Sequence, residues 1–190
     1  MFYKILYFLC WLPLKIMLPI KKIGKENLIK GKALLCCNHQ SNLDFIPILY
    51  TAKTKCYVLC KKELYKGKFK TWFFSHLRTI PINREKPEIS SIKRCLETLN
   101  SNKNLLVFPE GTRTKKEDLD GLKNGVAMFC LKTKSPIIPM VYLKKNKLFR
   151  RNTLVIGKPI TFDLDYNKEN MQIVINKLEE EMKNLKNYKR

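Results

Sequence analysis

Acidic side chains are scarce in this chain: 16 Asp and Glu stand against 38 Lys and Arg, a formal net charge of +22. So lopsided a balance demands a polyanionic partner, which nucleic acid, an anionic bilayer or a phosphorylated substrate would each satisfy. Part of the excess reflects a composition rich in Lys, Asn and Ile throughout. Spaced cysteine pairs are missing as well. The cysteines at 10, 36, 37, 56, 60, 95 and 130 are odd in number and lie mostly inside apolar runs, which suggests reduced, buried thiols. Cys56 and Cys60 have no second Cys or His pair at metal-ligand spacing, so core packing outweighs a zinc site and no metal is expected.

A long unbroken apolar run is also lacking. The first 20 residues are strongly apolar, yet Lys4, Pro13, Lys15 and Pro19 interrupt them before Lys21 and Lys22. A membrane span needs about 20 consecutive apolar residues. The segment reads instead as a helix or helix pair lying in the interface, with Tyr3, Tyr7 and Trp11 at headgroup level. A cleaved signal peptide fits poorly, because the positive start is thin and no small-x-small site follows the apolar stretch. We therefore expect residues 1–22 to associate with a membrane surface, monotopically or peripherally, and residues 23–190 to form one domain. Repeats and low-complexity stretches are not visible.

Beyond Lys30, short apolar runs alternate with longer amphipathic ones, the pattern of an α/β fold. Residues 33–37, 56–60, 79–82, 105–108, 137–143 and 154–156 read as strands. Residues 45–52, 69–77, 89–100 and 122–132 read as helices, and a last amphipathic helix starts at Lys168. In the third helix Ile89, Ile92, Leu96 and Leu99 share one face.

Two clusters carry chemistry. Asn38-His39-Gln40-Ser41-Asn42-Leu43-Asp44 follows the first buried strand, at the sheet edge where ligands bind in α/β folds. If a helix begins near Ser41, the Asp44 carboxylate can reach back to the imidazole, giving the base and orienter of a triad without its nucleophile. Such a pair could deprotonate a hydroxyl that arrives with the substrate. Taken alone, the spacing is explained as well by a helix that Ser41 or Asn42 caps and whose dipole Asp44 complements. The second cluster, Phe108-Pro109-Glu110-Gly111-Thr112-Arg113-Thr114, follows another apolar strand through a tight turn. Arg113 offers a fork for a phosphate, and Glu110 can hold the arginine or accept a substrate hydroxyl. Arg84 leaves a third strand. His76 reads as a packing or helix-end residue. Lys61, Lys62, Lys66, Lys68 and Lys70, beside Tyr65, Phe69, Trp72 and Phe73, suggest contact with anionic lipid or an acidic carrier.

The blocks N-H-Q-S-N-L-D at 38–44, I-P-I-N-R at 80–84, F-P-E-G-T-R-T at 108–114 and P-I-I-P-M at 136–140 resemble, in order and spacing, those of the glycerolipid acyltransferase family. The likeness covers about residues 23–160, including G-K-E-N-L at 24–28 and L-K-N-G-V at 122–126, and is nearest to bacterial members acting on 1-acyl-glycerol 3-phosphate. It implies a mixed, mainly parallel sheet flanked by helices. It further implies His39 as general base, Asp44 as its orienter, and Arg84, Glu110, Gly111, Thr112 and Arg113 as the binding site for a glycerol phosphate. Lysophosphatidate would be the acceptor, acyl-CoA or acyl-acyl carrier protein the donor, and no bound cofactor would be needed. A place on the cytoplasmic face of the cell membrane would follow. Arg78 stands where the family often has glycine, adding a charge near the presumed phosphate site, and Thr114 where it often has serine. The family alternatives are acylation of glycerol 3-phosphate or of another lysophospholipid. Outside it stand a basic nucleic-acid-binding protein, disfavoured by the lack of any helix-turn-helix or RNA-binding motif, and an inactive membrane adaptor, disfavoured by the intact His and Asp.

Overall fold

The computed structural model describes residues 13–83, 87–110 and 124–188. Seven strands form one sheet: β1 (Ile20–Ile23), β2 (Ala33–Cys37), β3 (Cys56–Lys61), β4 (Thr79–Ile82), β5 (Asn104–Val107), β6 (Ile137–Tyr142) and β7 (Asn152–Ile156). Residues 13–17 are helical, and five further α-helices are complete among the described residues: α1 (Phe45–Leu49), α2 (Lys68–His76), α3 (Ile89–Asn100), α4 (Gly125–Thr133) and α5 (Lys168–Lys186). The strand order is β1-β7-β6-β2-β5-β3-β4. Every neighbouring pair is parallel except β6 with β7.

The expected mixed, mainly parallel sheet is therefore present, and its cause is legible in β2. All five residues of Ala33–Cys37 are buried, as they must be in a strand covered on both faces. Their side chains alternate between two cores. Leu34 and Cys36 pack with α3, α4 and α5 through residues such as Leu99, Val126 and Leu178. Ala33, Leu35 and Cys37 pack on the other face with Ile48 of α1 and Leu28. Parallel strands joined through helices cross over with a right hand. The β2–β3 and β3–β4 connections step outward and the β4–β5 and β5–β6 connections step back. Helices α1 and α2 thus lie on the face opposite α3 and α4. Cys56 and Cys95 are buried thiols whose pKa burial pushes up to about 12, as expected of inert core groups.

The N-terminal boundary differs from the expectation. Ile20–Ile23 is a strand paired with β7, so a division at residue 22 falls inside the sheet. Leu18 is buried, its carbonyl accepts from the Tyr50 hydroxyl at 3.2 Å, and the Met17 carbonyl accepts from Phe149 N. Two lysines in a four-residue edge strand, I-K-K-I, hide the alternation that would have revealed it. Residues 1–12, which hold most of the expected interfacial segment, lie outside the described residues. No described helix is long and apolar enough to cross a membrane. The G-K-E-N-L stretch is structural: Gly24 has φ +75°, and a Cβ there would sit 2.1 Å from the Ile156 carbonyl oxygen, which Asn27 caps at 2.9 Å.

Arg78 has φ +56°, in the left-handed region that glycine occupies without strain. A glycine here, as the family resemblance implies, would relieve that strain. The registers put Arg78 level with Tyr57, Leu105 and Leu34. At 3.3 Å per residue, His39 lies about 16 Å further along the strands. The arginine charge therefore belongs to the other end of the sheet, away from His39, contrary to the sequence expectation.

Candidate active site

Three adjacent strands, β6, β2 and β5, end at one edge of the sheet, and each delivers polar groups there. His39 leaves β2, Glu110 leaves β5, and Tyr142 closes β6. The His39 ring stacks on Phe108 with centroids 4.2 Å apart and planes 24° from parallel. Its Nδ1 lies 3.1 Å from Asp44 Oδ2. The expected pair is thus formed, though by a different route. No helix begins at Ser41; α1 starts at Phe45, and Asp44, in the cap position, makes no capping bond. Its carboxylate folds back instead over residues 40 and 41.

Asp44 is 0% exposed, and a buried carboxylate must be fully hydrogen-bonded. Oδ2 accepts from Gln40 N and Ser41 N, both at 2.7 Å, as well as facing His39. Oδ1 accepts from Asn146 Nδ2 at 2.9 Å. The Asn146 amide cannot turn round, because its Oδ1 accepts from Asn152 Nδ2 at 2.7 Å. Asn152 is fixed in turn, since its own Oδ1 accepts from Lys144 N at 3.2 Å and Thr153 N at 2.7 Å. Every group facing Asp44 is therefore a donor or can be one, which selects the ionised carboxylate. The carboxylate selects Nδ1–H of His39, leaving the Nε2 lone pair for chemistry.

The surrounding strand ends are locked to this pair. Asn38 Oδ1 accepts from Tyr142 N at 2.8 Å and Asn38 Nδ2 donates to Tyr142 O at 3.1 Å. The Tyr142 hydroxyl donates to the Asp44 carbonyl at 2.8 Å. Burial, with the acidic neighbours Cys37 and Asp44, holds that phenol well above its usual pKa, so it stays a donor. Glu110 is buried, and its Oε2 accepts from His39 N at 3.4 Å.

Of the residues expected in the site, the structure brings together His39, Asp44 and Glu110. Gly111, Thr112, Arg113 and Arg84 lie outside the described residues. Cys37, directly before the cluster, is buried, and burial raises its pKa well above the ordinary thiol value, so it is no nucleophile. His76 behaves as expected for a helix-end group, with Nδ1 2.7 Å from the Trp72 carbonyl. Asn146 and Asn152 were not foreseen. Asn146 lies in the polar lysine-rich loop after β6 and Asn152 opens β7, both about a hundred positions from Asp44, and asparagine in such a stretch ordinarily signals only a turn.

The sequence model of the family described as Acyltransferase matches residues 19–143. A 1-acyl-sn-glycerol-3-phosphate acyltransferase of Bacillus subtilis is 29% identical over 197 residues, covering 96% of this chain and 98% of that protein. One from Helicobacter pylori is 35% identical, covering 75% of this chain and 60% of the relative. A third, from Saccharomyces cerevisiae, is 33% identical over 76% of this chain, and the chain spans about half of its length, 52%. The crystal structure of the 1-acyl-sn-glycerophosphate (LPA) acyltransferase from Thermotoga maritima superimposes with a TM-score of 0.69 at 22% identity, covering 90% of this chain and 73% of that one.

Proposed function

The chain belongs to the acyltransferase family, and from that membership we propose that it moves a fatty acyl group from a thioester onto the sn-2 hydroxyl of 1-acyl-sn-glycerol 3-phosphate, forming phosphatidic acid. The observation that carries the reading is the oriented imidazole: His39 Nδ1 on a fully buried carboxylate, with Nε2 left as a base. Among the described residues no protein nucleophile stands beside it, which suits direct transfer to a substrate hydroxyl. Nε2 takes the hydroxyl proton as the oxygen attacks the thioester carbonyl. The tetrahedral intermediate collapses, the C–S bond breaks, and the imidazolium returns its proton to the departing sulfur. Asp44 stabilises the imidazolium in between. A general base supplies about 10² to 10⁴-fold, so substrate positioning must supply much of the rest.

Acyl-CoA or acyl-acyl carrier protein serves as donor, and no bound cofactor or metal takes part. Arg113, with Glu110, Gly111, Thr112 and Arg84, holds the acceptor phosphate and glycerol. Arg113→Lys should raise the acceptor KM roughly tenfold with little change in donor KM, because an ammonium cannot reproduce a bidentate phosphate contact. A raised donor KM with an unchanged acceptor KM would assign the arginine to the other substrate. The reading as a whole is tested by assaying purified protein with lysophosphatidate, glycerol 3-phosphate and lysophospholipids against both donors. Preference for lysophosphatidate is expected, and transfer to glycerol 3-phosphate alone would replace the acceptor.

The enzyme works at the cytoplasmic face of the membrane, held by its apolar N-terminus and by its net charge of +22. Removing residues 2–12 spares Leu18 and β1. It should make vesicle attachment fully salt-sensitive, whereas the intact chain is released only in part by high salt. Equal attachment of both forms in high salt would remove the N-terminus from the anchor.

A further inference from the structure

A surface helix ordinarily turns its apolar stripe to the core; α2 does the reverse. Phe69, Trp72, Phe73 and His76 follow the i, i+3, i+4, i+7 spacing of one helix face, and none of the nine residues of α2 is buried. Phe69 is 74% and Trp72 47% exposed. Their rings form a ladder, with centroids 6.2 Å apart from Phe69 to Trp72 and 4.9 Å from Trp72 to His76. The helix is nevertheless seated firmly. On its inner side the Tyr65 hydroxyl bonds Thr79 Oγ1 at 2.6 Å, and Thr79 Oγ1 donates to the Phe74 carbonyl at 2.7 Å. The outward aromatics are thus presented by a fixed element.

Charge around that stripe is predominantly positive. Residues 61–70 hold five lysines and one glutamate. Lys62 pairs with Glu88, while Lys66, Lys68 and Lys70 are exposed and make no ion pair with another described residue. Rigid rings amid unneutralised ammonium groups match the two layers of an anionic bilayer surface, whose acyl boundary takes rings and whose headgroups take lysines. The segment starts at the edge of the sheet from which His39 leaves β2, and α2 runs back from there toward Arg78 at the start of β4. We propose that α2 and the turn before it form a membrane-contact surface of their own, separate from the N-terminal residues, which sets the active-site edge against anionic lipid. This rests on the acyltransferase reading only in that its substrates are lipid-borne.

The chain has two tryptophans, Trp11 and Trp72, so Trp11→Phe makes Trp72 the only reporter. With phosphatidylcholine vesicles containing phosphatidylglycerol, emission of this variant should shift to the blue and be quenched by lipids brominated high in the acyl chain. Adding Lys66→Gln, Lys68→Gln and Lys70→Gln should weaken the lipid dependence of that shift by roughly a hundredfold, with activity on detergent-dispersed substrate retained. Sedimentation with vesicles without a Trp72 shift or quenching overturns the surface while leaving membrane attachment standing. Failure to sediment at all overturns both. A shift elicited by an acidic acyl carrier protein and not by vesicles makes the surface a protein-docking site and overturns the lipid assignment.

Discussion

His39→Ala should lower kcat by roughly 10²-fold or more while the protein remains folded and bound to lipid. The ring is only partly buried and contributes one bond to the Asp44 carboxylate. Gln40 N, Ser41 N and Asn146 Nδ2 still satisfy that group when it is gone. His39→Gln sharpens the test, because an amide can keep a hydrogen bond to Asp44 and contact with Phe108 yet cannot accept a proton. Both variants should melt close to the parent protein, and both should transfer the acyl group roughly 10²-fold or more slowly in single-turnover assays. Activity within about threefold of the parent for either variant would remove His39 from the chemistry.

The sequence made the centre of the sheet legible and hid its edges. β2, β5 and β6 are buried on both faces, so they stand out as continuous apolar runs. β1 carries two lysines and pairs on one side only, so it merged with the apolar segment before it. α1 stops at Leu49, short of the expected Ala52, because the Thr51 hydroxyl donates to the Pro47 carbonyl at 2.5 Å and competes with the helix. In the site, His39 and Asp44 were visible because five residues span the pair and one strand end delivers both. The groups that hold Asp44 were not visible. Asn146 reaches it across 102 positions, through the adjacency of β2 and β6 that only the folded sheet creates. A charged residue was misplaced for the same reason: Arg78 is six positions from Arg84 in the chain, but β4 runs between them.

That network makes Asp44→Asn more damaging than the loss of one charge. An asparagine side chain there that keeps its oxygen toward Gln40 N, Ser41 N and His39 must aim its amino group at Asn146 Nδ2, donor against donor. Turning the new side chain round sets the amino group against two backbone N–H groups instead. Turning Asn146 round moves the clash to Asn152, whose oxygen is held by Lys144 N and Thr153 N. One buried donor therefore stays unpaired, at about 1–3 kcal/mol of stability, and the imidazolium loses its counter-charge as well. Asp44→Asn should lower both the melting temperature and kcat, the latter by about 10⁴-fold, as when the carboxylate of a comparable triad is neutralised. The double variant Asp44→Asn with Asn146→Asp separates the two effects. The introduced amide could then donate to the introduced carboxylate, which also accepts from Asn152 Nδ2, so every buried group again has a partner. Thermal stability should recover in large part while kcat stays as low as in the single variant, because the charge no longer faces His39 Nδ1. Recovery of activity along with stability would mean that Asp44 serves the fold alone, and no recovery of either would mean that the asparagine ladder does not set the orientation of the carboxylate.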